Sequence, residues 1–275
     1  MNAPTRLVTG SLTTAGLFLG YVASLQAGEV GPMAYVPPAP VSDCDACNDP
    51  GPYGSLSLLY LKPYGTDGFE GDGDWDLGAR GTLGFERPDG LFYELNGFWY
   101  EGEFDPEDSR SSDYQSEISH WYIEGLIGDN LHCGEACLDL AFGLRYAQID
   151  DDRRRVSIKS GTPPPGNGVS IIRADHFEGF GPVVRLDGTR TLTDQVTLYG
   201  GLSQAILFGE LDRRRSQSAD TVVPVTEIEL GLQFNFNMGA IQGAHARLGL
   251  EAQYWSMPYD DFGLIGGVLG VGFNF

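Results

Sequence analysis

The chain has 275 residues, 41% of them hydrophobic and 12% aromatic, and a formal net charge of −21. Such an acidic balance excludes a nucleic-acid binder, because phosphate contacts need clustered cations. Past the N-terminus no segment offers the roughly 18 consecutive apolar residues of a membrane helix, so a membrane-spanning form of this chain has to be a β-barrel.

Residues 1–27 hold no acid and one base, Arg6, followed by an apolar run from Leu7 to Val22. This pattern is that of a secretory signal peptide, with cleavage left open between Ser24 and Ala27. Gly10, Ser11, Thr13, Thr14 and Gly16 make the run too weak for an anchor. Residues 28–52 are non-periodic and rich in proline, with Pro37-Pro38-Ala39-Pro40 at the centre, and read as an extended periplasmic linker. Residues 53–275 then form one domain.

From Tyr53 onward, about ten segments alternate at period two between turn-rich stretches, which predicts an all-β protein. Trp75, Leu77, Ala79, Leu83 and Phe85 oppose Asp76, Arg80, Thr82 and Glu86, and Leu91, Tyr93, Leu95 and Trp99 oppose Glu94 and Asn96. Leu138, Leu140, Phe142, Leu144 and Tyr146 oppose Asp139 and Arg145. Between Tyr114 and Ile127, and between Ile171 and Asp187, the alternation slips phase, as a bulge would make it do. Ile228, Leu230, Leu232, Phe234 and Phe236 oppose Glu227, Glu229, Gln233 and Asn235, and Leu248, Leu250 and Tyr254 oppose His245, Arg247, Glu251 and Gln253. Long strands with one oily and one charged face fit a transmembrane antiparallel up-and-down barrel of about ten strands.

Connections alternate in length. Short ones are expected at 87–90, 130–135, 188–194 and 238–243, and longer acidic ones at 66–74, 104–113, 150–168 and 210–221, with a shorter one at 258–261. Short turns at one end and long loops at the other are the outer-membrane pattern, with the long loops outside. The last strand carries Ile265, Leu269, Val271, Phe273 and Phe275 on one face and small residues on the other. Phe273 and the terminal Phe275 read as the signal that outer-membrane assembly machinery recognises. Cys44, Cys47, Cys133 and Cys137 are an even set in an exported chain and read as disulfides, most simply Cys44 with Cys47 and Cys133 with Cys137, cross-pairing being allowed.

The chain resembles the pore-forming outer-membrane protein family typified by the Legionella major outer membrane protein. The resemblance lies in Ser57-Leu58-Leu59-Tyr60-Leu61-Lys62-Pro63, in Phe177-Glu178-Gly179-Phe180-Gly181-Pro182 followed by Arg185-Leu186-Asp187, and in Leu250-Glu251-Ala252-Gln253-Tyr254-Trp255 with the final strand. It implies an integral outer-membrane barrel that forms a pore, with no catalytic residues and no cofactor.

Alternation assigns Asp76, Arg80, Glu86, Glu94, Asp139, Arg145, Asp175, Arg185, Asp187, Glu227, Glu229, Arg247 and Glu251 to the lumen. Acids outnumber arginines there, so an open pore would prefer cations. The competing reading is a packed interior, because about eight strands leave a bore that side chains fill. The expected function is therefore porin-like passive permeation of small solutes, the alternative a structural or adhesion-type envelope barrel with a plugged lumen. A hydrolase is the reading from another class; it would have to use His120 with Ser116, or His176 beside Asp175, and neighbours at i and i+1 point to opposite faces of a strand. No metal or cofactor site is expected. Asp150-Asp151-Asp152-Arg153-Arg154-Arg155 and Glu210-Leu211-Asp212-Arg213-Arg214-Arg215 are expected at the outer ends of two segments, either clamping anionic headgroups or pairing with acidic loops. Trp75, Trp99, Tyr100, Trp121, Tyr122, Tyr254 and Trp255 are expected in the interfacial girdles. Lipids of the outer membrane and its assembly machinery are the expected partners; the sequence leaves open a single barrel or a homo-oligomer.

Overall fold

The computed structural model describes residues 50–65, 74–104, 113–132, 136–158, 167–213, 218–238, 241–258 and 261–274. The expected signal peptide and almost all of the expected linker lie outside the described residues. So do Cys44, Cys47, Cys133 and Phe275.

Ten strands follow in order: β1 (Gly51–Gly65), β2 (Asp76–Glu86), β3 (Phe92–Phe104), β4 (Asp113–His132), β5 (Ala136–Ile158), β6 (Asn167–Thr193), β7 (Val196–Arg213), β8 (Ala219–Met238), β9 (Ile241–Trp255) and β10 (Phe262–Asn274). Each pairs antiparallel with its neighbours in sequence, and β1 pairs with β10 from Tyr53↔Asn274 to Gly65↔Phe262, which closes the barrel. Closure leaves no strand edge within the sheet, the condition for crossing hydrocarbon with strands.

The residues that alternation assigns to the bilayer do point outward. Leu58, Leu83, Leu95, Phe142, Leu230, Leu248, Leu250 and Leu269 are all exposed, Leu250 to 71%. In water such a surface would be untenable; against acyl chains it is the stabilising face. The band is tall enough for strands of about 9–11 residues. Strands β4 to β8 run far past that length, and β5 and β6 stay paired out to Ile158↔Asn167. The expected loops at 150–168 and 210–221 are thus mostly strand: β5 ends at Ile158, β6 begins at Asn167, β7 ends at Arg213 and β8 begins at Ala219. The charged stretch from Asp150 to Arg155 lies within β5, because ladder pairing with β4 and β6 outweighs its low strand propensity.

At the short-turn end, β2 returns to β3 through a turn in which Arg87 N donates to Leu91 O at 2.9 Å and Gly90 N to Arg87 O at 3.0 Å. Gly90 has φ of 87° there, a conformation that glycine adopts without the penalty a Cβ would bring.

Of the two suspected phase slips, one is a true irregularity. The β5–β6 register shifts at Arg153/Arg154, close to Ile171. Along β4 the pairing with β3 is unbroken from Phe104↔Ser116 to Phe92↔Gly128. The apparent slip in β4 comes from a change of surroundings along one continuous strand. Trp121, Ile123, Gly125 and Ile127 keep facing outward, while the inward positions change from Leu126 and Glu124 to Tyr122, His120 and Ile118.

Candidate functional site

The lumen is layered. At the short-turn end and at mid-height the inward side chains are mainly polar, with Phe92, Leu126 and Ala141 among them; toward the long-loop end they are mainly apolar. In β1 the inward residues run Tyr53, Ser55, Ser57, then Leu59, Leu61 and Pro63. In β5 they run Asp139, Ala141, Arg145, then Ala147 and Ile149. The upper layer joins Leu59, Leu61, Ile149, Phe177, Leu207 and Val225 in one buried cluster.

Below it sits a belt of three arginines, each held between two carboxylates. Arg80 of β2 donates from Nη1 to Glu229 Oε2 at 3.0 Å and from Nη2 to Glu251 Oε1 at 2.5 Å, reaching across to β8 and β9. Arg145 of β5 donates from Nε to Glu124 Oε2 at 2.8 Å and from Nη2 to Glu227 Oε2 at 2.7 Å, and its guanidinium lies 4.0 Å over the Tyr122 ring. Arg185 of β6 meets Glu94 Oε1 at 2.5 Å and Asp187 Oδ2 at 2.7 Å. Planar guanidinium forks satisfy two acids at once, which makes arginine rather than lysine the residue for this position.

Neutral groups brace the belt. Asn96 Nδ2 donates to Glu94 Oε1 at 2.6 Å and to Glu124 Oε1 at 3.2 Å, and its Oδ1 accepts from Thr82 Oγ1 at 2.6 Å. Tyr53 OH donates to Glu94 Oε2 at 2.9 Å. Arg145 and Gln253 have no exposure at all, and Glu124 and Glu251 have 3% each. Nearer the short turns, Arg247 Nε donates to Gln233 Oε1 at 2.8 Å, and Asn130 Nδ2 to Glu86 Oε1 at 3.2 Å.

The sequence-derived lumen residues fall as follows. Arg80, Glu94, Arg145, Arg185, Asp187, Glu227, Glu229 and Glu251 come together in the belt. Glu86, Asp139 and Arg247 face inward nearer the short turns, Asp139 directly opposite Asp187. Asp76 stands at the long-loop end, where its Oδ2 accepts from Glu103 N at 3.0 Å instead of joining the belt. Asp175 lies on the inward register of β6, beyond Phe177. Alternation missed Glu124, Tyr122 and Ser203. Taking Ile127 and Ile123 as outward positions would have put the even positions, Glu124 and Tyr122 among them, on the inward face.

Tyr100, Tyr122 and Trp255 are not girdle residues, which corrects the expectation from their position in aromatic pairs. Their exposures are 0%, 3% and 0%, and they line the inside, while Trp75, Trp99 and Tyr254 face out. Each inward aromatic is next in sequence to an outward one, so composition alone does not separate them. Phe98 stacks on Tyr122 with centroids 5.1 Å apart, and His120 sits edge-on to Trp255 at 4.5 Å.

His120 is wholly buried among these rings and neither ring nitrogen has a hydrogen-bond partner, so no carboxylate orients it as a base. His176 is on the outward face of β6, with Nδ1 2.5 Å from Asp150 Oδ1. His245 faces the lumen near the short turns, its Nδ1 3.4 Å from Gly243 O. Cys137 is at the start of β5 opposite Thr189, and Phe273 faces outward at the end of β10.

A closed antiparallel barrel with an apolar outer band, a charged interior and strands joined by short turns at one end is an integral outer-membrane β-barrel. The family model described as the Legionella pneumophila major outer membrane protein precursor matches residues 94–263, more than half of the chain, and the chain belongs to that family. A search of the curated proteins finds no match. Among solved structures, the outer membrane protease OmpT from Escherichia coli superposes with a TM-score of 0.53 at 10% identity, over 82% of this chain and 97% of that one. The translocator domain of the autotransporter NalP from Neisseria meningitidis gives 0.41 at 13% identity, over 82% and 89%. The toluene transporter TodX from Pseudomonas putida gives 0.35 at 11% identity, over 83% and 90%. OmpT shares the fold; at this identity the likeness carries no chemistry with it. The protein resides in the outer membrane.

Proposed function

We propose that this barrel is a narrow porin-like pore that passes small inorganic cations and excludes larger solutes. The observation that carries the reading is the charge of the belt. Arg80, Arg145 and Arg185 are each flanked by two carboxylates, so negative charge is in surplus where the lumen is most crowded. A ring of surplus carboxylates attracts cations and repels anions. Its crowding by arginines reaching across the bore sets a small diameter, as expected near the small-barrel limit.

A second reading is favoured by one specific observation. Arg145, His120, Gln253 and Trp255 are fully shielded from solvent, which is the packing of a plugged structural barrel. Planar-bilayer recording of the refolded protein separates the two. The pore reading expects small, cation-selective steps, and Glu227→Gln combined with Glu229→Gln lowers that selectivity. Anion selectivity refutes the charge argument, and a silent bilayer with an intact fold selects the structural barrel.

A further inference from the structure

The Arg80 corner of the belt sets two carboxylates directly opposite each other, as Asp139 and Asp187 also are beside Arg185, and adds a phenol oxygen to them. Glu229 and Glu251 are direct cross-strand partners on β8 and β9, both pointing into the lumen. Like charges directly opposite each other destabilise a sheet unless something neutralises them. Arg80 is the counter-charge the structure shows for both, using one nitrogen for each. One cation against two anions leaves a residual negative charge in a desolvated place. Moreover Glu251, 3% exposed, uses only Oε1, which accepts from Arg80 and from Gln253 Nε2 at 2.7 Å; its Oε2 is buried without a hydrogen bond.

A third oxygen is aimed at the same corner. The next pair toward the short turns is Gly231↔Gly249, and the Tyr199 ring from β7 lies over it. A side chain at either glycine would collide with that ring, and at Gly249 with the hydroxyl itself. The two glycines therefore seat Tyr199, only 6% exposed, with its Oη against Gly249 and close to the Glu229 carboxylate. The Arg247 guanidinium lies over the ring, 5.0 Å from its centroid.

A water molecule could bridge these oxygens, but it would leave the charge in place, and buried charge is far more costly than a buried unpaired hydroxyl. We propose that Glu229, Glu251 and Tyr199 form a site for one small monovalent cation of the sodium or potassium class. Hard cations take oxygen ligands of this kind. Two carboxylates bonded to one guanidinium, with that of Arg247 over the Tyr199 ring, leave room for at most a single added positive charge. Among the described residues no group of three or more His, Cys, Asp or Glu side chains is placed to hold a metal ion, which argues against a divalent or transition metal. The site deepens the permeation reading, on which it rests for the ion's passage in and out.

Thallium(I), a heavy stand-in for potassium, tests the site without requiring conduction. Crystals of the folded full-length exported protein grown in a thallium(I) salt should show an anomalous peak touching Glu229, Glu251 and the Tyr199 hydroxyl. Glu251→Gln should abolish it. Tyr199→Phe, which keeps the ring on its glycines and so preserves folding, should lower its occupancy several-fold. A folded wild type with no peak there, or a peak indifferent to both substitutions, overturns the proposal. A filled site beside a silent bilayer supports the cation site and removes the permeation reading; conduction with no thallium in this corner does the reverse.

Discussion

Two levels of the same wall obey opposite rules. Within the bilayer band, β5 points Phe142 and Leu144 outward and Arg145 inward; a few residues later it points Gln148 and Asp150 outward and Ala147 and Ile149 inward. β6 makes the same exchange, with Val184 out and Arg185 in below, and Glu178 out and Phe177 in above. The strand geometry does not change across this boundary. What changes is the solvent outside: against lipid the interior collects the polar groups, and against water the interior becomes an ordinary apolar core. The barrel is a membrane protein below and a water-soluble β-barrel above, on one uninterrupted set of hydrogen-bond ladders.

The sharpest way to break that contrast is to strike the polar level from within. Arg145→Ala strands Glu124 and Glu227 in a buried place, and should cost about 3–5 kcal/mol, as loss of one member of a buried ion pair does. Urea unfolding in lipid vesicles or detergent followed by tryptophan fluorescence would read it. A cost under about 1 kcal/mol would mean that the belt is solvated.

The outer face of the same level comes next. Leu248→Arg should cost about 2–4 kcal/mol if the position is near the midplane. Gln233→Ser, on the inward face one strand away, should cost far less, and equal losses would contradict the register that pairs Leu232 with Leu248 and Gln233 with Arg247. At the upper level the inside should become the sensitive face. Ile149→Val should cost about 0.5–1.5 kcal/mol by removing one methylene from the packed layer. The smallest effect is expected just outside it, where Gln148→Lys keeps a donor beside Asp150 and should stay within about 0.5 kcal/mol, as surface substitutions do. A larger loss at Gln148 than at Ile149 would reverse the assignment of the two levels. The same comparison has a topological form: cysteines introduced in the 214–217 connection should label from outside intact cells, and those in the 87–90 turn should not.

The contrast also explains what the sequence disclosed. Barrel class, strand number and the lumen faces of β2, β3, β8, β9 and the lower half of β5 were legible because the stretches read there lie mostly within the lipid band, where one rule holds. β4 and β6 were hard to read because each crosses the boundary, so that Ile118 and Glu124, or Phe177 and Arg185, share a face while differing in character. Tyr122 and Trp255 were misplaced for a related reason: an aromatic near the interface suits a girdle and a core equally well. The partner of each arginine was beyond sequence reach. Arg80 contacts Glu229 and Glu251 across the bore, and only closure of the sheet brings β2 opposite β8 and β9.

The ladder between β1 and β10 sets how the molecule must come into being. Leu59 and Val268, partners across that seam, are roughly two hundred residues apart in sequence, whereas every other ladder joins neighbours along the chain. Loop-closure entropy grows only slowly, about 0.6 kcal/mol for each doubling of length, so the seam is affordable at equilibrium. Its burden falls on the rate, because a contact of such high order can form only after the intervening hairpins are arranged to meet it. Until then both outermost strands expose unpaired backbone that hydrocarbon does not tolerate. Insertion and cylinder closure must therefore be nearly one event, and a helper that shields those two strands would speed it without contributing anything to the finished barrel.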